Sequence, residues 1–119
     1  MRYRTRFVDL AQEDLNDITD YLTELSSQTA LTFIDELEQR LSIIKDFPEI
    51  FPIYTYDERF RKIIIGKYLI FYIVDHKNRI NNVIRILYSA MDIKSELAKI
   101  KSIKGKNPTF YNDTKKPAS

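Results

Sequence analysis

Residues 2–8 alternate between arginine and neutral side chains, with Arg2, Arg4 and Arg6 on one side and Tyr3, Thr5 and Phe7 on the other. That period of two predicts a half-buried opening strand. The period then lengthens. Ala11, Leu15, Ile18, Leu22 and Leu25 recur at helical spacing, while Glu13, Asp14, Asp17, Asp20 and Glu24 fall off the stripe, which predicts a helix apolar inside and acidic outside. Asp9 and Gln12 have the spacing of a capping box and set the expected start of this helix. Ser26, Ser27 and Gln28 interrupt the stripe, and a second one runs through Ala30, Phe33, Ile34, Leu37, Leu41 and Ile44. Two amphipathic helices on so short a link pack as an antiparallel hairpin. The second helix should stop near residue 46, because the residue before Pro48 is pushed out of the helical region.

From Arg61 onward the chain turns β-branched and aromatic. Arg61 to Ile65, Tyr68 to Asp75 and Ile80 to Tyr88 are three strand-like runs, separated by Gly66-Lys67 and by His76-Lys77-Asn78-Arg79. They predict a three-stranded antiparallel meander. The middle run, Tyr-Leu-Ile-Phe-Tyr-Ile-Val, is apolar on both faces, so both need cover. Residues 92–103, with Ile93, Leu97, Ile100 and Ile103 at helical spacing, predict a short C-terminal helix begun by Asp92. Residues 104–119 are basic and aperiodic, and read as a disordered tail after a domain spanning 1–103. The expected class is α+β: an N-terminal strand and the meander joined in one sheet, with the hairpin on one face and the other face left open.

A chain of 119 residues is one domain's worth, and its formal net charge of +2 marks no strongly charged partner. The distribution says more than the sum. Residues 9–50 hold 11 acidic groups against Arg40 and Lys45, whereas residues 51–119 hold 14 basic groups against 6 acidic ones. There is no cysteine, which excludes a disulfide framework and thiolate metal sites and suits a reducing cytoplasm. The start lacks the apolar core of a signal peptide, and no apolar run approaches the roughly 20 residues of a membrane-spanning helix. The expectation is a soluble cytoplasmic protein with no membrane association.

The element order, with Asp14-Leu15 in the first helix, the Phe47-Pro48 stop, the block Phe60 to Asp75 and the stretch Arg85-Ile86-Leu87-Tyr88-Ser89-Ala90-Met91-Asp92, resembles the RelE/ParE superfamily of toxins from bacterial toxin–antitoxin modules. The likeness covers roughly residues 3 to 100. It implies a toxin silenced by a cognate antitoxin protein, with no cofactor. It also implies one of two targets: messenger RNA cut on the ribosome with its own 2′-hydroxyl as nucleophile, or DNA gyrase poisoned by binding. The nuclease branch carries an arginine after the tyrosine of the central strand, a second arginine in the terminal block and a tyrosine about six residues on. Here Leu69, Met91 and Leu97 stand at those places. Leucine and methionine neither stabilise a phosphorane nor move its protons. The expected function is therefore growth inhibition by binding, as in plasmid stabilization by gyrase-directed members. The alternatives are a ribosome-dependent mRNA endoribonuclease using relocated Arg61, Arg85 and Tyr88, or a degenerate non-toxic homologue that only binds antitoxin.

The candidate target and antitoxin contacts are Arg61, Lys67, Tyr68, Arg85, Tyr88 and Asp92. Arg85 sits on an otherwise apolar strand and needs a partner, either outside on the open face or inside at Asp92. Tyr68, Tyr72 and Tyr88 can stack or donate, or simply pack as strand aromatics. His76, the only histidine, lacks a second imidazole or thiol for a metal and reads as a solvated turn residue. The Arg2, Arg4, Arg6 row can track a phosphate backbone, guard a sheet edge, or pair with the acidic first helix.

Overall fold

The computed structural model describes residues 2–100 of the chain, so the expected tail and the domain's end at residue 103 lie outside the described residues. The elements are β1 (Arg4–Phe7), α1 (Asp9–Leu25), α2 (Ser27–Asp46), β2 (Arg61–Ile65), β3 (Tyr68–Asp75), β4 (Ile80–Tyr88) and α3 (Ile93–Ala98). The sheet order is β1-β4-β3-β2, with β1 parallel to β4 and the other pairs antiparallel. The α+β arrangement expected from the sequence is the one observed.

Local chemistry sets the joints. Ser26 alone separates α1 from α2: its N–H closes the last turn of α1 on the Leu22 carbonyl at 2.9 Å, and its Oγ accepts from the Thr29 N–H at 2.9 Å. Its extended backbone reverses the chain in a single step. The expected capping box at Asp9 does not form. Val8, 2 % exposed, is the N-cap without a side-chain bond, and Asp9 sits in the first turn, where its charge faces the positive helix end. Burying the Val8 side chain at the entrance takes precedence over a polar cap. Asp92 caps α3 as expected, its Oδ1 accepting from the Ser95 N–H at 3.3 Å.

A register shift in β4 decides which side chains share a face. Phe71 lies opposite Arg85 and Tyr72 opposite Val83, leaving Ile84 as the extra residue of a β-bulge. Opposed residues share a face, so Tyr68, Ile70 and Tyr72 stand with Tyr88, Ile86, Val83 and Asn81, while Leu69, Phe71 and Ile73 stand with Leu87, Arg85 and Asn82. Simple alternation, which groups Arg85 with Val83, fails at the bulge.

The first of these faces carries the hairpin. Phe33 of α2 meets Tyr68 edge-on at 5.2 Å, the Asn81 amide donates to the Ile44 carbonyl at 2.9 Å, and the Tyr72 hydroxyl donates to the Pro48 carbonyl at 2.7 Å. The second face is not open, contrary to the sequence expectation. Tyr54 and Phe60 pack edge-on against Phe71 at 5.1 and 6.1 Å, and Ile93, Leu97 and Ile100 from α3 and its end join the same core. The prolines that stop α2 also release an extended segment that folds back over the sheet. Tyr54 N–H bonds the Phe60 carbonyl at 2.8 Å and Lys62 N–H bonds the Pro52 carbonyl at 3.0 Å. Phe71 is therefore 0 % exposed.

Phe71→Ala should destabilise the fold by about 3–5 kcal/mol, the cost of a phenyl-sized cavity in a sealed core. Urea unfolding measures it, and a loss under about 1 kcal/mol would mean that this face is open.

Candidate docking groove

Of the six candidate contacts, three are committed elsewhere in the fold. Arg85 is 13 % exposed at its side chain and is held by Asp14 of α1, with Nε–Oδ2 at 2.8 Å and Nη2–Oδ1 at 3.0 Å, and by Glu96 of α3 at 3.2 Å. Asp14 also accepts the Ile86 backbone N–H at 2.9 Å, on β4 beyond the last β1 pair at Val83. This bidentate pairing raises the Arg85 pKa further and fixes its charge. The partner is thus internal, but it is not Asp92, which the cap of α3 engages. Arg61 is likewise a staple: its Nη1 donates to the Glu49 and Phe51 carbonyls at 3.2 and 2.8 Å, and Nη2 lies 3.7 Å from the Glu49 carboxylate.

The cover on the outer face has its own clamp. Arg59 donates to the Asp57 carboxylate and, from its guanidinium, to the Leu97 carbonyl at 3.1 Å and the Ile100 carbonyl at the end of α3. The Arg59 hydrogen bond holds the Asp57 pKa below the ordinary carboxylate value; Lys99 first, and Arg85 with it, do the same for Glu96. His76 is more than a turn residue. Its Nδ1 meets the Tyr3 hydroxyl at 2.7 Å and its Nε2 the Glu49 carboxylate at 2.8 Å, joining the first strand to the loop after α2. Tyr72 is fully buried, and burial pushes its phenol up to about 12.

The remaining three come together. Lys67, Tyr68 and Tyr88 line a groove of about 700 Å³ between the closed end of the hairpin and the β2–β3 turn. Gly66, at φ 56°, supplies the left-handed residue that lets this turn be tight. Tyr68 and Tyr88 rings lie 5.8 Å apart, and Ile18, Tyr21, Leu22, Leu25 and Phe33 form the opposite wall. Tyr21, Leu25 and Tyr88 are 55, 60 and 42 % exposed. Burial, then the neighbouring Tyr21 and Tyr88, raises the Tyr68 pKa, so its phenol remains a neutral donor at physiological pH. Asp17 and Glu36 on the helices line the same groove as Lys67. The groove suits a segment with apolar anchors flanked by charge of both signs.

Tyr21 and Leu25 are the exposed apolar groove residues that sequence reasoning missed, along with Asp17, Ile18, Leu22, Phe33 and Glu36 of the helical wall. Leu25 belongs to the α1 stripe, and a stripe alone cannot tell its core positions from those beyond the sheet's cover. At the nuclease positions, Leu69 lies half-buried on the outer face opposite Leu87, Met91 is exposed, and Leu97 is 1 % exposed in the core.

The fold is a mixed four-stranded sheet backed by a helical hairpin, with a groove at the hairpin's closed end. The sequence matches the family described as ParE toxin of type II toxin-antitoxin system, parDE, over residues 5–93. The chain belongs to this family and is a type II toxin–antitoxin toxin of the ParE/RelE kind. Among solved structures, a chain of the chromosomal ParDE TA system from P. aeruginosa is 13 % identical with a TM-score of 0.60, over 73 % of this chain and 96 % of that one. A chain of the RelBE2 toxin-antitoxin complex from Mycobacterium tuberculosis is 17 % identical with a TM-score of 0.53, over 74 % and 99 %. Identities this low carry the fold alone. No curated protein sequence matches the chain. Among the described residues, no helix is long and apolar enough to cross a membrane.

The carboxylates of the outer clamp make its hold acid-sensitive. Because Asp57 and Glu96 have lowered pKa values in the fold, their contribution is complete above the ordinary carboxylate range near pH 4 and is lost as pH falls through the lowered values. In an NMR titration, the Ile93 and Leu97 methyl resonances should hold from neutrality to about pH 4 and shift below it, before those of Leu37 under the hairpin. Simultaneous loss of both sets would contradict a separately clamped α3.

Proposed function

We propose that this toxin inhibits growth by binding an essential target, in the gyrase-directed manner of ParE, and that a cognate antitoxin silences it by occupying the hairpin groove. The observation that carries the first part is the fate of the catalytic positions. Cleaving RNA through its 2′-hydroxyl needs charge stabilisation at the phosphorane and proton transfer at the attacking and leaving oxygens. Leu69, Met91 and Leu97 provide none of this, and Leu97 is sealed in the core. Relocated groups fare no better: Arg85 is neutralised by two carboxylates and Arg61 is spent on backbone carbonyls. Tyr88 alone stays accessible.

The second part rests on exposed apolar surface. Tyr21, Leu25 and Tyr88 stand open around a concave site with Lys67 at its rim, the composition of an interface centre. Burying that surface yields about 25 cal/mol per Å², which favours a partner segment and disfavours the solitary chain. Asp92, caught in its helix cap, is a poor contact.

Inducing the chain alone in bacteria should arrest growth and produce gyrase-dependent DNA breaks, without codon-positioned cuts in messages mapped by primer extension. Such cuts would overturn the binding mechanism in favour of the nuclease; normal growth at high expression would make the chain a non-toxic antitoxin binder. Tyr88→Ala and Lys67→Glu should each weaken the antitoxin complex by about tenfold or more in calorimetry, the loss typical of a central interface residue. Unchanged affinity in both would remove the groove from the interface.

A further inference from the structure

The cations at the start of the sheet are left over after every nearby acid is engaged. Asp46 pairs with Arg2 at 3.0 Å, Glu49 with His76 and Arg61, and Asp75 accepts both the backbone N–H and the side-chain amide of Asn78. Arg4, Arg6, Lys77 and Arg79 have no ion pair among the described residues. In particular, the arginine row does not pair with the acidic face of α1. Register gathers these groups. Arg4 lies opposite Ile80 and its N–H bonds the Arg79 carbonyl at 2.9 Å; Arg6 lies opposite Asn82. Arg4 and Arg6 share the outer face of the edge strand β1, two residues and so about 6.6 Å apart. Arg79, exposed, is held at φ 55°, a left-handed conformation that a non-glycine residue adopts only at some cost. Asn82, beside Arg6, is 0 % exposed, and both ends of its amide lack a partner among the described residues. One end of the sheet thus presents unneutralised positive charge next to an unsatisfied polar group.

We infer that this strand and turn form a contact surface for the phosphate backbone of duplex DNA, separate from the hairpin groove. Its charge calls for a polyanion, and arginine suits phosphate oxygens. Single-stranded nucleic acid is held by aromatic side chains stacked on bases. Tyr3 is turned instead into the His76 contact, the exposed rings of Tyr21, Tyr56 and Tyr88 lie on other elements, and Phe47, exposed at the end of α2 beside Asp46, is a single ring where a stacked strand calls for several. What remains is backbone contact without base readout, which a duplex satisfies. The inference stands apart from the toxin's target, because it concerns direct binding by this chain.

The test is fluorescence anisotropy with the full chain and a labelled duplex of arbitrary sequence, at 50 to 200 mM salt. The expected result is weak, sequence-independent binding that fades steeply with salt. Arg4→Gln with Arg6→Gln should lower affinity about tenfold or more at the low-salt end and reduce the slope of log K against log salt by about 2, one unit per lost phosphate contact. Arg79→Asn, which keeps a residue tolerant of the left-handed turn, should reduce the slope by about 1. Lys94→Gln, on α3, should change neither. Far-UV circular dichroism confirms that each variant is folded. Absence of binding at 50 mM salt overturns the inference, as does wild-type affinity and slope in the folded arginine variants, which would move any binding to the lysines after residue 100. Tighter binding to a single strand of the same length overturns it too.

Discussion

A strand that is apolar on both faces must be covered twice, and the rest of this molecule follows from how β3 meets that demand. The hairpin takes the face of Ile70 and Tyr72; the looped segment with Tyr54 and Phe60, together with α3, takes the face of Phe71. The bulge at Ile84 makes the double cover compatible with one polar residue. By turning Arg85 to the outer face near the uncovered stretch of β4, it brings the guanidinium between Asp14 of α1 and Glu96 of α3. One arginine then ties together the sheet and a helix from each cover. Removing either carboxylate would leave a mostly buried charge undercompensated, a far larger penalty than losing a surface pair.

That closure determines where partners can bind. With its centre sealed on both sides, the sheet offers apolar surface at the closed end of the hairpin, where Tyr21 and Leu25 extend past the core to line one groove with Tyr68 and Tyr88, and at Ile64 on the edge strand β2. The sheet's far end offers charge instead, from Arg4, Arg6 and Arg79. The match to the ParE toxin family ends at residue 93, the first residue of α3. The helix that completes the outer cover therefore lies almost entirely beyond the matched region, secured by the Arg59 and Asp57 clamp.

Much of the fold was legible in the sequence because each element has a single dominant period. The alternation at residues 4–7, the two helical stripes and the three β-branched runs all became elements close to their expected bounds. The site was less legible. Leu25 fits the core stripe and yet lines the groove, since periodicity reports a direction and not what stands in that direction. Alternation with Ile86 and Leu87 places Arg85 on the face away from the hairpin, where it lies, but cannot foresee that this face is covered or that the partner is Asp14, 71 residues away in the chain. The cover over Phe71 comes from a proline-punctuated segment without periodicity, so no pattern announced it. Nor does the lone His76 announce, from its turn, that Tyr3 and Glu49 converge on it.

The central claim is that the toxin covers its own sheet and leaves the hairpin groove to its antitoxin. Hydrogen–deuterium exchange of the chain with and without its cognate antitoxin addresses this claim directly. New protection should appear in the last turns of α1, the first turns of α2 and the β2–β3 turn around Lys67, with residues 54–60 and α3 unchanged. Protection confined to residues 54–60 and α3, with the hairpin end exchanging as in the free chain, would contradict it.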